Sequence, residues 1–368
     1  MPGKTNYFAS LPRNADMNIK EVARLAKVST ATVSRTINGS DKVTAETAER
    51  VRRAIETLKF YPNTNARALG SGRSNLYGLI ISDITNPFFP ELVKGFEDVA
   101  VQFGQEVLVA NTNYDPHRME VCVIRMLQRK ADGVAIMTSE MEEHLIDEMS
   151  SRRIPLVFLD TGTPQKGISN IAVDYASGID AAVVHLTSLG HTSIGFIRGP
   201  MTLASARLRY RAFINSMKRK RLNIDHNLIE EGNHRMDGGH EAMMRLLDKP
   251  IRPTAVLTSN DMTAIGAMGA MFERGLKVPA DMSIIGFDDI ELNTFSQPGL
   301  TTVRLSRKEI AKVAFHALYD ARDNPSAKGA EFTIRPTFIE RKTTGPAPVH
   351  SERSRLLIQS VGAGIRHP

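Results

Sequence analysis

The chain carries one cysteine, Cys122, in 368 residues. A single thiol excludes an intrachain disulfide and a cysteine-based zinc site. Cys122 lies in an apolar helical stretch, where a thiol packs as a small hydrophobe. Long apolar runs are absent as well. No stretch approaches the roughly 18 residues that span a bilayer, and residues 1–16 lack the apolar core of a secretory signal. These absences fit a protein kept in a reducing cytoplasm. Catalytic signatures are also missing. There is no Gly-x-Ser-x-Gly elbow, no phosphate loop ending in Gly-Lys-Ser/Thr and no His-Glu-x-x-His pair. Glu142, Glu143 and His144 lack a further ligand and read as a solvated helix start. No cofactor or metal is therefore expected.

What is present starts with charge. The hydrophobic fraction of 42% and charged fraction of 24% are near the globular average, so a large core is within reach. The length suits two or three domains of about 100–200 residues. The net charge of +7 is unevenly placed: residues 1–75 hold 13 Lys and Arg against 6 Asp and Glu, and the rest holds 34 of each. A basic excess confined to one small segment is the footprint of a polyanion binder. A solvated basic arm is the other reading of charge alone, and the pattern inside the segment decides.

That segment reads as three short helices. Asn18, with Glu21 three residues on, has the form of a capping box. Ile19, Val22, Ala23 and Ala26 then form an apolar face. Ser29 caps a second helix over residues 30–38, with Val33 and Ile37 facing inward, and Gly39 stops it. Thr44 caps a third, whose buried face is Ala48, Val51, Ile55 and Leu58. Two short helices joined by a tight turn, completed by a third, make a helix-turn-helix unit. Its second helix is shaped for the DNA major groove, with its N-terminal side chains at base edges. Those are Thr30, Ala31, Thr32, Ser34 and Arg35. Small residues let the helix seat deeply, and Arg35 can fork onto guanine O6 and N7.

The runs Ile19-Lys20-Glu21-Val22-Ala23, Val28-Ser29, Thr32-Val33-Ser34-Arg35 and Asn38-Gly39 resemble the N-terminal signature of the lactose-repressor (LacI/GalR) family. Tyr61-Pro62-Asn63-Thr64-Asn65-Ala66-Arg67-Ala68-Leu69-Gly70 resembles that family's hinge helix, and the resemblance continues to about residue 345. It implies a sequence-specific DNA-binding regulator, most often a repressor, that works as a homodimer on a pseudo-palindromic operator. A hinge of about eight residues is too short to be a stable helix alone. In the family it forms when two subunits pair over the minor groove, and the leucine matching Leu69 wedges between base pairs. Such apolar wedges kink DNA. The resemblance places Asn38, Asn63 and Ala66 at the same interface, with Ala66 allowing close helix approach and Asn63 reaching a phosphate.

From Leu76 onward apolar strand-like runs alternate with helices. One series comprises residues 78–81, 107–109, 133–136 and 155–159; a second comprises 194–197, 255–257 and 283–287. Such alternation predicts doubly wound parallel sheets, and two series predict two lobes. Ligands of open parallel sheets sit beyond the carboxyl ends of the strands. The polar and aromatic residues found there are Asn86, Phe88, Phe89, Asp160, Arg207 with Arg209, Asn260 with Asp261, and Asp288 with Asp289. Aromatic walls with a ring of Asp, Asn and Arg suit a polyhydroxylated ligand, because carboxylates and amides fork onto adjacent hydroxyls. Individually, Asn86 and Asn260 also read as turn or cap residues, Phe88 and Phe89 as core, Arg209 as a surface ion pair and Asp289 as a solvated loop residue.

This arrangement resembles periplasmic sugar-binding proteins and the matching sensor domains of the repressor family. The resemblance implies that Asn86, Phe88, Phe89, Asp160, Arg209, Asn260 and Asp288 line a ligand cleft. Ser205 is a further candidate contact. Where the family often has an aromatic wall, this chain has His234, which points to a more polar ligand such as a sugar acid; a surface-loop histidine is the alternative.

The expected fold is an all-α helix-turn-helix headpiece with a hinge helix, then an α/β two-lobed periplasmic-binding-protein-like sensor domain of two doubly wound parallel sheets. The expected boundaries are an extension at 1–16, the headpiece at 17–60, the hinge and linker at 61–75, the sensor at 76–345 with crossovers near 174 and 302, and a disordered tail at 346–368. The tail shows no leucine heptads, so a homodimer is the expected assembly. Two rival functions are weaker. A sugar-binding receptor would need an export signal, and a sugar-modifying enzyme would need a paired general base. Leu69→Ala is expected to cut operator affinity while leaving effector binding unchanged, as read by operator titration and calorimetry; wild-type operator affinity would remove the wedge assignment.

Overall fold

The computed structural model describes residues 18–37, 39–60, 73–138 and 141–348. They belong to two compact units that divide between Asn75 and Leu76. The N-terminal extension, Asn38, the hinge residues Asn63, Ala66 and Leu69, and the tail beyond residue 348 lie outside the described residues.

The first unit holds α1 (Ile19–Ala26), α2 (Thr30–Ile37) and α3 (Ala45–Leu58). Asn18 caps α1 by accepting from the Lys20 amide at 2.9 Å. The Glu21 carboxylate pairs with Arg24 at 2.5 Å. Lys27, at φ 53, turns the chain through the left-handed region and closes α1. Ser29 Oγ then accepts from the Thr32 amide at 3.1 Å and opens α2. Val22, Ala23, Ala26, Val33, Val51 and Ala54 are the buried core, and Ile37, Ile55 and Leu58 pack against it. Ala54, absent from the expected face, is buried because it follows Val51 by one helical step of three.

The second unit opens with β1 (Leu76–Ile81), α4 (Phe88–Gln102), β2 (Glu106–Asn111), α5 (Pro116–Gln128), β3 (Gly133–Met137), α6 (Glu143–Ser151), β4 (Leu156–Leu159) and β5 (Ile168–Val173). These strands form an all-parallel sheet in the order β2-β1-β3-β4-β5, with a later strand at the far edge. The second lobe follows with α7 (Tyr175–Ser188), β6 (Ile194–Arg198), α8 (Ala204–Arg219), β7 (Ile229–Glu231), α9 (Met236–Leu247), β8 (Ala255–Thr258), α10 (Asp261–Glu273), β9 (Ser283–Asp288) and β10 (Thr301–Arg304). Its sheet runs β7-β6-β8-β9-β10. The chain then returns to the first lobe with α11 (Arg307–Ala321) and β11 (Glu331–Ile334), which pairs with β5. Finally β12 (Thr337–Ile339) adds antiparallel to β10 in the second lobe.

The chain thus passes between lobes after Val173, between Arg304 and Arg307, and again between Ile334 and Thr337. The third passage was not among the two expected. It depends on β11 and β12, short half-exposed edge strands with little apolar signal. β5 also escaped notice, since Ser169 and Asn170 interrupt its apolar run. Both are buried, and their side chains accept from the Ala330 and Gly162 amides.

Each lobe has a dense core. In the first, Phe315 of α11 packs against Tyr77 at 5.2 Å and Phe96 at 5.6 Å between ring centroids. Cys122 is buried there among apolar residues, and burial pushes its thiol pKa up. In the second, Phe196 and Phe213 stack at 4.6 Å. The helices α9 and α10 meet backbone to backbone, since a Cβ on Gly266 would lie 1.9 Å from the Met236 carbonyl oxygen. Overpacking such a contact forces a backbone shift. Gly266→Ala is expected to destabilise the second lobe by about 1–3 kcal/mol, read as a lowered melting temperature; an unchanged melting temperature would show that the two helices separate without penalty.

Candidate functional site

Nine of the candidates line one cavity between the lobes. The first lobe supplies Asn86, Phe88, Phe89 and Asp160. The second supplies Ser205, Arg209, His234, Asn260 and Asp288. Each follows, or in the case of Asp288 ends, a parallel strand, so the cavity lies where the carboxyl ends of both sheets face each other.

Arg209 is the centre of the site. It is buried, donates to the Ser259 carbonyl at 2.7 Å and pairs with Asp288 at 3.1 Å. Its guanidinium carbon lies 4.4 Å from the Phe287 ring centre and 5.1 Å from that of Tyr175. Burial opposes its charge, but Asp288, Tyr175 and Asp160 outweigh burial and raise its pKa. Its Nε has no hydrogen-bond partner among the described residues. Arg207 does not join it. Two residues apart on a helix point to different faces, and Arg207 instead donates to the Met201 and Thr202 carbonyls.

The carboxylates are shaped by burial. Asp288 is pushed up to about 6, burial outweighing the nearby charges of Arg209 and Arg307. Asp160 is likewise raised by burial, although the Tyr175 hydroxyl donates to it at 2.5 Å and the Val173 amide at 2.9 Å. Asp289 is not the solvated loop residue expected. It is buried, and Arg304 at 2.7 Å and Arg341 at 2.6 Å take the place of water around it.

Other candidates have double duties. Asn86 accepts from the Phe88 amide at 3.1 Å and starts α4. Phe88 and Phe89 meet edge to face at 5.3 Å and belong to the core while lining the cavity. Asn260 caps α10 by accepting from the Thr263 amide at 2.9 Å, and donates to the His234 carbonyl at 3.0 Å.

His234 is buried at φ 64, with Nε2 2.8 Å from Ser259 Oγ. A Cβ on Gly199 would fall 1.9 Å from that nitrogen, so the ring needs glycine there. Burial, with the charge of Arg209, drives its pKa down to about 3. The imidazole is neutral at ordinary pH. It offers an aromatic face and a hydrogen bond but no positive charge for a sugar acid.

Ser82, Tyr114, Met137, Thr138, Tyr175 and Leu203 also line the cavity and were not singled out from sequence. Ser82 and Thr138 directly follow β1 and β3, so the strand-end rule applied to every strand finds them. Across the cleft mouth, Arg235 of the second lobe donates to Asp83 at 2.9 Å and Asn113 at 3.2 Å in the first. Asn113 and Tyr114 both hold positive φ, 54 and 58. Asparagine tolerates that region, whereas holding Tyr114 there costs about 1–3 kcal/mol.

In the first unit, Thr30, Ala31 and Arg35 are exposed on α2, and Thr32 and Ser34 are half-buried. Thr32 Oγ1 lies 2.9 Å from Ser29 Oγ, which ties it to the cap.

Residues 18–63 match the model for bacterial regulatory proteins of the lacI family, and residues 183–344 match a periplasmic binding protein-like domain. The ribose operon repressor of Escherichia coli (strain K12) is 35% identical over 88% of this chain and 98% of that protein. This chain belongs to the lacI family. The HTH-type transcriptional repressor PurR of Haemophilus influenzae (strain PittEE) is 34% identical over 88% of this chain and 98% of its own length. Among solved structures, the lac repressor dimer bound to operator and the anti-inducer ONPF aligns at a TM-score of 0.80 and 29% identity, over 89% of this chain and 99% of that one. A lacI-family regulator from Enterococcus faecium with bound ribose aligns at 0.67 and 26%, over 74% and 99%. Like its relatives in the family, the chain is a DNA-binding transcription regulator and not an enzyme. No described helix is long and apolar enough to cross a membrane.

The neutral His234 has a consequence for acid stability. An unfolded imidazole takes a proton below about pH 6.5, whereas the folded one holds out to about pH 3. Its contribution to stability is complete above about pH 6.5 and is lost as pH falls toward 3. His234→Asn, which tolerates the left-handed backbone, is expected to lessen the loss of stability over that window in urea titrations; parallel pH profiles for the two proteins would show that His234 does not titrate on unfolding.

Proposed function

We propose that the chain binds a pseudo-palindromic operator as a homodimer, represses the adjoining genes, and is released by a neutral polyhydroxylated effector in the cleft. Thr30, Ala31, Thr32, Ser34 and Arg35 read bases in the major groove. Asn38, Asn63, Ala66 and Leu69 complete the grip on DNA. Its site of action is the bacterial cytoplasm, at the nucleoid when operator-bound.

The observation that carries the effector reading is the buried Arg209–Asp288 pair in a cavity walled by both lobes. A paired arginine gives forked donors to hydroxyls while leaving little net charge for an anion. Phe88 and Phe89 supply apolar surface for the C–H face of a sugar, and Asn86, Asp160, Ser205, His234, Asn260 and Asp288 supply polar contacts or shape. A catalytic role for the carboxylates has less support, since Asp160 is committed to Tyr175 and Asp288 to Arg209.

The coupling is a linkage: an effector that binds one degree of lobe closure better shifts the population toward it. Typical coupling energies are about 1–3 kcal/mol. The test starts with selection of genomic fragments by the purified protein, and an enriched palindrome supplies the operator. Arg209→Ala is expected to bind that operator normally but to lose release by the effector, with Arg209→Lys as a control that keeps the charge opposite Asp288. Normal release of Arg209→Ala would remove Arg209 from the effector site, and binding without any enriched sequence would overturn the regulator reading.

A further inference from the structure

Asp261 lies directly behind the cavity wall. It is fully buried and opens α10, one residue after Asn260, which caps that helix and lines the cavity. The Asp261 side chain does not line the cavity. It gathers donors from the chain that follows β9. Its Oδ2 accepts from the Ile290 amide at 2.9 Å and from Asn293 Nδ2 at 2.7 Å, and its Oδ1 accepts from the Thr302 hydroxyl at 2.5 Å. Asn293 and Thr302 are themselves fully buried. A Cβ on Gly286 would fall 2.1 Å from the same Oδ1, so β9 needs glycine where the carboxylate presses on it. Burial and the charge of Asp288 raise the pKa of Asp261. Hydrogen bonds to an ionised acceptor are short and strong, and taking a donor away from a buried one is costly.

The partners stand at the joints of the sensor. Ile290 is two residues beyond Asp288, which lines the cavity. Thr302 pairs with Gly286 of β9 on one side and with Ile339 of β12 on the other. β10 ends two residues later at Arg304, where the chain crosses to α11, and β12 begins at Thr337, just after the last crossing. Two of the three passages between lobes therefore meet the second lobe at strands joined through Thr302.

We propose that Asp261 is a positioning residue for the effector response: by holding the cap of α10 and the middle of β10 as one rigid unit, it passes a displacement of Asn260 or Asp288 to those two crossovers. This rests on the reading of the cavity as the effector site. Asp261 then contributes to the response of the protein and not to its grip on the ligand.

Lying between two sites does not by itself establish coupling, so binding and response are measured separately. Calorimetry on the full chain with D-ribose, D-glucose, D-galactose and L-arabinose finds a sugar that binds. Titration of the selected operator with and without that sugar then measures release. Wild-type release is expected within the usual range of about 5- to 150-fold. Thr302→Val, which removes one donor and keeps the side-chain shape, is expected to lower release to about 2-fold or less, as is Asp261→Asn. Both are expected to bind the sugar within about 2-fold of wild type, and to bind the operator without sugar as before. Thr302→Ser, which keeps the hydroxyl, is expected to retain release. Should Asp261→Asn fail to fold, the two Thr302 variants carry the test. Wild-type release by Thr302→Val, sugar affinity lost in step with release, or equal loss of release in Thr302→Ser would overturn the role of Asp261 and leave the effector reading standing. Binding of none of the sugars, or binding that leaves wild-type operator affinity unchanged, would overturn both.

Discussion

A buried guanidinium set against two neighbouring aromatic rings constrains the whole sensor unit. Arg209 sits against Phe287 and Tyr175 and pairs with Asp288. A charge in such surroundings persists only with a partner and well-placed hydrogen bonds, and breaking a buried pair costs about 3–5 kcal/mol. The surrounding groups follow from that requirement. Asp288 must end β9 opposite α8, Ser259 must turn its carbonyl inward, and His234 is kept neutral by burial and by the same positive charge. Tyr175, at the start of α7, meets Arg209 with its ring and Asp160 with its hydroxyl. One paired cation thus links the polar groups of both lobes around the cavity.

The connections between lobes make that cavity responsive. Three passages of chain join the two sheets, and rotation about a few linker residues is the ordinary means of domain closure. Polar bridges at the mouth and beside the linkers span the observed separation. Arg235 reaches Asp83 and Asn113 at the mouth, while Arg307 of α11 joins Glu91 to the Asp288 and Asp289 carbonyls. Both involve residues next to cavity-lining positions. A ligand that favours one separation therefore acts on hydrogen bonds already at the hinge and mouth.

Much of this was legible before folding. The strand-end rule found Asn86, Asp160, Asn260 and Asp288 because parallel sheets expose their carboxyl ends. It passed over Ser82 and Thr138, small residues without distinctive chemistry, and Tyr114, which lies three residues beyond Asn111. Asp289 looked like a loop residue because its two arginine partners lie 15 and 52 positions away. Arg207 and Arg209 looked equivalent in sequence, and only the helical period separates them.

Sequence alone determined the local matters: the three-helix headpiece with its caps, the alternation of strands and helices, the basic charge of the first 75 residues, and the family signature. These depend on neighbours within a turn or a strand, so periodicity and spacing record them. Tertiary structure decided the state and partner of each buried group. Whether His234 carries charge, whether Asp289 meets water, which arginine enters the cleft and where β11 and β12 pair all depend on contacts between distant segments. Desolvation and long-range pairing set those outcomes, and neither is written in the order of the residues.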